Sequence, residues 1–233
     1  MKKNIIISLS FCFLLLISLN GCIHGLDNYD APNGGIKGFI LDEETNNPIP
    51  FPVQGSTGVI VKMYEQNTNA TQSVDFYAKY DGSYENSKIF NNEYKIVVDG
   101  PFVNPCEGTV KVNGATMFDL KATPFSRIEA SANYANGTVT IQYEVKPTND
   151  SFTVDNVFGY WNFAPGVDDG AANYAKKVTT KDIQGQISFD LKNDNVFKSN
   201  EYKIISNGNK IYVRIGAAIK GKINYSTIIA VQL

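Results

Sequence analysis

Hydrophobic and polar residues alternate along most of this chain. In "TVTIQYEVK" (138–146), Val139, Ile141, Tyr143 and Val145 interleave with Thr140, Gln142, Glu144 and Lys146. A period of two predicts a strand with one buried and one wetted face. "KIYVRIGA" repeats the pattern, with Ile211, Val213 and Ile215 opposed to Tyr212 and Arg214. "QISFDL" sets Ile187, Phe189 and Leu191 on one side, and "EYKIVVD" does so with Tyr94, Ile96 and Val98. Asp81-Gly82, Asn113-Gly114, Asn136-Gly137 and Asn207-Gly208 stand between such runs. These dipeptides suit the positive-φ positions of tight hairpins. No window carries a helical period; only "DDGAANYAKK" (168–177) reads as a short helical turn. The expected class is all-β.

A boundary falls at "KATPFS", where Thr123-Pro124 follows one alternating run and Phe125 opens the next. Residues 123–233 hold about seven candidate strands, the number expected of an immunoglobulin-like sandwich. Residues 36–122 form a smaller β domain, with no fixed-period repeat between the two.

The amino terminus is different. Lys2 and Lys3 precede an apolar run from Ile5 to Leu19, too short for a spanning helix of about 20 residues and right for a secretory signal. It ends in Leu19-Asn20-Gly21-Cys22, which resembles a bacterial lipobox. That resemblance implies cleavage after residue 21 and lipid on the Cys22 thiol and its new amino group. Several acyl chains at ~0.8 kcal/mol per buried methylene anchor a domain stably. The polar stretch 22–35, including Asp27 and Asp30, reads as a tether.

Without residues 1–21, 19 basic and 23 acidic side chains leave a net charge of −4. That balance offers no basic field for nucleic acid. With Cys22 acylated, Cys106 is the one cysteine left and has no intrachain disulfide partner. It reads as a small buried residue rather than a reactive thiol.

The smaller domain carries a resemblance in "GGIKGFILDEETNNPIPFPVQGSTGVIVKMYEQ" and "YDGSYENSKIFNNEYKIVVDGPF". Gly38, Asp42, Thr45, Pro48, Ile49, Val59, Val61, Asp81-Gly82, Tyr84 and Tyr94 match a carboxypeptidase-regulatory, transthyretin-like domain. Asn46 and Glu93 stand where that pattern has glycine. The resemblance implies a structural module and brings no catalytic residue. The mature chain as a whole, with "DNYDAP" (27–32) ahead of the first strand, is similar to Bacteroidetes lipoproteins of unknown function. Members are encoded beside starch-utilisation-type importers. This implies an outer-membrane location facing the exterior, with glycan, a TonB-dependent importer and its surface glycan-binding lipoprotein as partners.

Catalytic chemistry finds little support. The lone histidine, His24, lies in the tether, so neither domain can build a Ser-His-Asp or Cys-His arrangement. No zinc or calcium pattern occurs, and no cofactor is expected. The adjacent acids Glu43-Glu44 and Asp168-Asp169 are the only glycosidase option, and acids in polar loops are usually solvated. Arg127 and Arg214 are too few for an anion-binding cluster.

The remaining feature is "NVFGYWNFAPG" (156–166), with Phe158, Tyr160, Trp161 and Phe163 close together. In a strand, Phe158 and Tyr160 share one face, and Trp161 and Phe163 share the other. One aromatic face must then meet something other than the core. Exposed aromatics stack on the apolar faces of sugar rings while neighbouring polar groups bond the hydroxyls. The candidate glycan-binding residues are therefore Trp161, Asn162, Asp168, Asp169 and Tyr174. For Trp161 itself the core tryptophan of an immunoglobulin-like sandwich is the favoured reading, with binding then carried by the loop after it, Asn162 to Tyr174. The expected function is non-catalytic glycan binding, or an accessory role in glycan uptake. A structural or adaptor module is the alternative.

Overall fold

A computed structural model describes residues 30–55 and 58–233. The signal segment, Cys22 and His24 lie outside the described residues. Strands β1 (Gly34–Asp42), β4 (Ser83–Ile89), β7 (Ala115–Met117) and β8 (Leu120–Ala122) make one sheet of the first module. Its order is β4-β1-β7, with β8 also on β1; β7 and β8 run parallel to β1. The facing antiparallel sheet runs β3-β2-β5-β6, from β2 (Ile60–Glu65), β3 (Val74–Tyr77), β5 (Glu93–Asp99) and β6 (Cys106–Lys111). Between them lies a hydrophobic cluster that includes Ile36, Ile40, Val61, Met63, Tyr84, Tyr94 and Ile96.

The second module is a three-on-five sandwich. One sheet runs β13-β10-β9, from β9 (Ser126–Ala135), β10 (Thr138–Pro147) and β13 (Gln184–Asp190). The other contains β11 (Asn156–Asn162), β12 (Lys176–Thr180), β14 (Lys210–Ile219), β15 (Lys222–Tyr225) and β16 (Ile229–Gln232). Its order is β12-β11-β14-β15, with β16 also paired to β14. The alternating residues read from sequence fill its core: Val139, Ile141, Ile187, Phe189, Ile211, Val213 and Ile215 are buried together. The all-β, two-domain architecture is as the patterning predicts.

Two local expectations are corrected. Residues 168–177 hold no helix; 168–175 form an irregular loop, and Lys176 and Lys177 open β12. Asp168 Oδ1 accepts from the Gly170 amide and the Asn173 side chain, and such local bonds compete with helical ones. Among the described residues the helix lies instead at α1 (Asn195–Ser206), started by Asp194, whose side chain accepts from the Val196 and Phe197 amides. Ile204 is its one buried residue, so it presents no broad apolar stripe to read.

The turn dipeptides also divide. Asn136 and Gly137 both have positive φ, 53° and 85°, and close the β9–β10 hairpin. Asn113-Gly114 and Asp81-Gly82 instead carry the chain from one sheet to the other. Asn207 caps α1. A tight hairpin that the dipeptide rule passes over is Lys220-Gly221, φ 51° and 73°, joining β14 to β15.

Candidate functional site

Register on β11 decides which aromatics can meet a ligand. Val157, Gly159 and Trp161 point into the sandwich, whereas Phe158, Tyr160 and Asn162 point away from it. Trp161 has no exposed surface and packs edge-on to Phe197 of α1, with ring centroids 6.2 Å apart. Its indole N–H has no hydrogen-bond partner among the described residues. Such a side chain has no face for a sugar.

The opposite face of β11 is covered as well. Tyr160 is buried among Phe158, Tyr174 and Tyr225, with centroid separations of 6.1, 5.9 and 6.4 Å. Gly216 on the neighbouring strand leaves space for these rings. A Cβ there would approach the Tyr225 and Tyr160 rings to 3.1 and 3.2 Å. Asn162 is buried and turned inward on its own loop, donating to the Gly166 carbonyl at 3.2 Å and accepting from the Phe163 amide at 2.8 Å. Asp168 is fully buried, and its Oδ2 accepts from the Val53 amide of the first module at 2.7 Å. Asn162 and Asp168 therefore build the scaffold and do not face solvent.

Asp169 and Tyr174 do reach the surface, and the fold brings two further residues to them. Lys177 lies opposite Tyr160 in the β11–β12 register. Its ammonium sits 2.8 Å from Asp169 Oδ1, 5.0 Å from the Phe158 ring centre and 5.5 Å from that of Tyr174. The Tyr160 hydroxyl donates to the same carboxylate oxygen at 3.0 Å. Burial, with neighbouring Tyr225 and Asp169 adding to it, raises the Tyr160 pKa far above its ordinary value, so the phenol remains a donor. The result is a shelf: two half-buried rings, Phe158 and Tyr174, flanking a partly exposed Lys177–Asp169 pair. Phe158 was legible as a β11 neighbour; Lys177 carried no local signal, because only strand pairing places it there.

The shelf borders the junction between the modules. Arg214 is fully buried there, its guanidinium stacked on Tyr225 with its carbon 4.6 Å from the ring centre. It donates to the Ser226 carbonyl at 2.7 Å, the Val167 carbonyl at 3.0 Å and, across the junction, the Tyr80 carbonyl at 3.5 Å. Burial pulls its pKa down to about 10. Asn224 also crosses, donating to Pro101 O at 3.1 Å. Asp169 helps line a groove of about 280 Å³ here, together with Asp99 and Lys222.

A second crossing joins Asp42 to Arg127, with contacts of 2.6 and 2.9 Å, and Glu44 lies 2.8 Å from the same guanidinium. Burial works against the Asp42 charge, but the Arg127 guanidinium and the Glu44 and Thr45 amides outweigh it and hold the carboxyl below its usual range. Glu43 accepts from the Thr123 hydroxyl at 2.9 Å. The adjacent acids read as glycosidase candidates are thus each engaged in a hydrogen bond or an ion pair. Cys106 is buried, and burial chiefly, with nearby Glu43, pushes its thiol up to about 12.

Two family models cover most of the chain. The DUF3823 N-terminal domain, a protein of unknown function, matches residues 34–123, and the DUF3823_C domain of unknown function matches 126–230. The chain belongs to the DUF3823 family. A DUF3823 family crystal structure from Parabacteroides merdae matches with a TM-score of 0.73 at 18% identity, covering 87% of this chain and 100% of that one. One from Bacteroides uniformis matches at 0.66 and 19% identity, with the same coverage. Another from Bacteroides uniformis, described as "a putative carbohydrate binding protein", matches at 0.65 and 19%, again over 87% and 100%. At these identities the likeness establishes the DUF3823 fold. A search of curated proteins returned no match.

Proposed function

We propose that this DUF3823 protein is a lipid-anchored, non-catalytic protein of the outer-membrane surface that binds glycan for a TonB-dependent uptake complex. The observation that carries the binding reading is the shelf. Phe158 and Tyr174 are half-buried rings that share the Lys177 ammonium, and the Lys177–Asp169 pair beside them keeps hydrogen-bonding capacity at the surface. The carbohydrate-binding description of one structural relative supports the same class of ligand. The anchor and uptake roles rest on the Leu19–Cys22 pattern and the family resemblance.

Tyr174→Ala tests the binding reading on a glycan array. The ring is half-buried at the surface, so melting should shift little while binding to the glycan retained by wild type falls at least tenfold. Unchanged binding in Tyr174→Ala and in Phe158→Ala sinks the shelf as the site. For the anchor, Cys22→Ser should abolish metabolic lipid labelling, and labelling that persists refutes it. A second reading, an adaptor, draws on Tyr202 and Ile205 of α1, which are 68% and 60% exposed.

A further inference from the structure

We propose that the cleft between the two modules, beside the Asp42–Arg127 pair, is a second and separate binding site, for a neutral sugar unit. The ligand class rests on the glycan-binding reading; the site itself does not involve the shelf. The cleft has a volume of about 510 Å³. That lies within the roughly 300–1,000 Å³ typical of small-molecule sites, which occur preferentially at domain interfaces.

Both modules build it. Pro48, Ile49 and Pro50 come from the loop after β1, while Pro124 and Ile128 come from the linker and β9. These supply a wall of C–H groups. Asn47, Asp81, Glu129 and Thr227 add polar groups around it. Ser126, also in the lining, is 3% exposed and keeps a hydroxyl with no hydrogen-bond partner among the described residues. An apolar wall with polar groups at its margin matches a pyranose ring, whose faces are C–H and whose perimeter is hydroxyl.

Charge excludes the acidic sugars. The cleft's cation, Arg127, is already neutralised by Asp42 and Glu44. Glu129 is paired with Lys146 at 3.1 Å, and Asp81 adds a further negative charge, so the set stays net negative and an incoming carboxylate or sulfate meets repulsion. The walls are held in place before any ligand arrives. Asn224 Oδ1 accepts from the Phe125 and Ser126 amides at 3.0 and 3.2 Å, while its amide nitrogen donates to the Pro101 carbonyl across the junction. Binding then carries little ordering cost.

Methyl and aromatic NMR of the full chain, titrated with maltose, cellobiose and xylobiose and with glucuronic acid as the acidic control, tests the proposal. At least one neutral disaccharide should shift the Ile49 and Ile128 methyl signals, and glucuronic acid should not. Thr227→Trp and Asn47→Trp, entering from opposite modules, should each weaken that response at least tenfold, with thermal melting confirming that both variants are folded. Tyr174→Ala should leave it unchanged. Shifts confined to Phe158 and Tyr174 would overturn the cleft and leave the shelf standing. Shifts confined to the cleft would do the reverse. Silence at both places overturns both readings. An equal response to glucuronic acid, or one that survives both tryptophan variants, overturns the cleft proposal.

Discussion

The Asp42–Arg127 contact ties the first module to the second across 85 residues of sequence, and its strength can be worked from the geometry. The Asp42 side chain is 6% exposed and that of Arg127 is 23% exposed. The pair is bidentate, the geometry in which a guanidinium binds carboxylate most strongly. Hydrogen bonds to charged groups contribute roughly 1.5–3 kcal/mol, and breaking a fully buried ion pair costs about 3–5 kcal/mol. Arg127 keeps Glu44 and some water in the variant, so Asp42→Asn should cost about 2 kcal/mol, below the fully buried range. A double-mutant cycle with Asp42→Asn and Arg127→Gln, read by urea unfolding, should give a coupling energy of about 1–2 kcal/mol. Its pH dependence follows from the sign of the Asp42 shift. The folded carboxyl titrates below its unfolded value of about 3.9, so the stabilisation is complete above that value. It is lost as pH falls through the lower folded value. The coupling should therefore be constant from pH 7 to pH 5 and shrink below about pH 4. Additive single variants at pH 7, or a coupling indifferent to acid, would refute the reasoning.

Trp161→Ala should cost about 3–5 kcal/mol, because it empties a fully buried site, and Trp161→Phe should cost much less, since no indole hydrogen bond is lost. Blue-shifted emission that quenchers and glycans leave unchanged is expected of the wild type; red-shifted emission would contradict its burial. Residues 125–233 possess their own core but lose the partners that Arg214, Asp168 and Asn224 find at Tyr80, Val53 and Pro101. The fragment should unfold cooperatively at a lower urea midpoint than the full chain, and an equal midpoint would show that the junction adds no stability.

Much of the architecture is legible in the alternation, and the misreadings have physical causes. Val139, Ile141 and Val145 can be assigned to a buried face from sequence because a strand offers its side chains only two directions. Asn136-Gly137 closes a hairpin since its positive-φ demand is local. The same chemistry at Asn113-Gly114 and Asp81-Gly82 permits a turn without saying which sheet the chain enters next. α1 is not legible in the periodicity because a lone buried Ile204 leaves no helical stripe, and the Asp194 cap is its one local signal.

The candidate site divides along the same line. Sequence alone determined that β11 has two aromatic faces and that Asp169 and Tyr174 follow it closely. Which of its neighbours are buried was decided by segments far away in the chain. Asp168 is held by an amide 115 residues distant, and Arg214 by a carbonyl 134 residues distant. Local patterning records a residue's own strand and turn, but burial of a polar group depends on a partner that satisfies it. Only the docking of one module on the other brings those partners in. It completes the interior scaffold around Asp168 and Arg214, whereas Asn162 is satisfied by its own loop, and strand pairing leaves Phe158, Asp169, Tyr174 and Lys177 together at the surface.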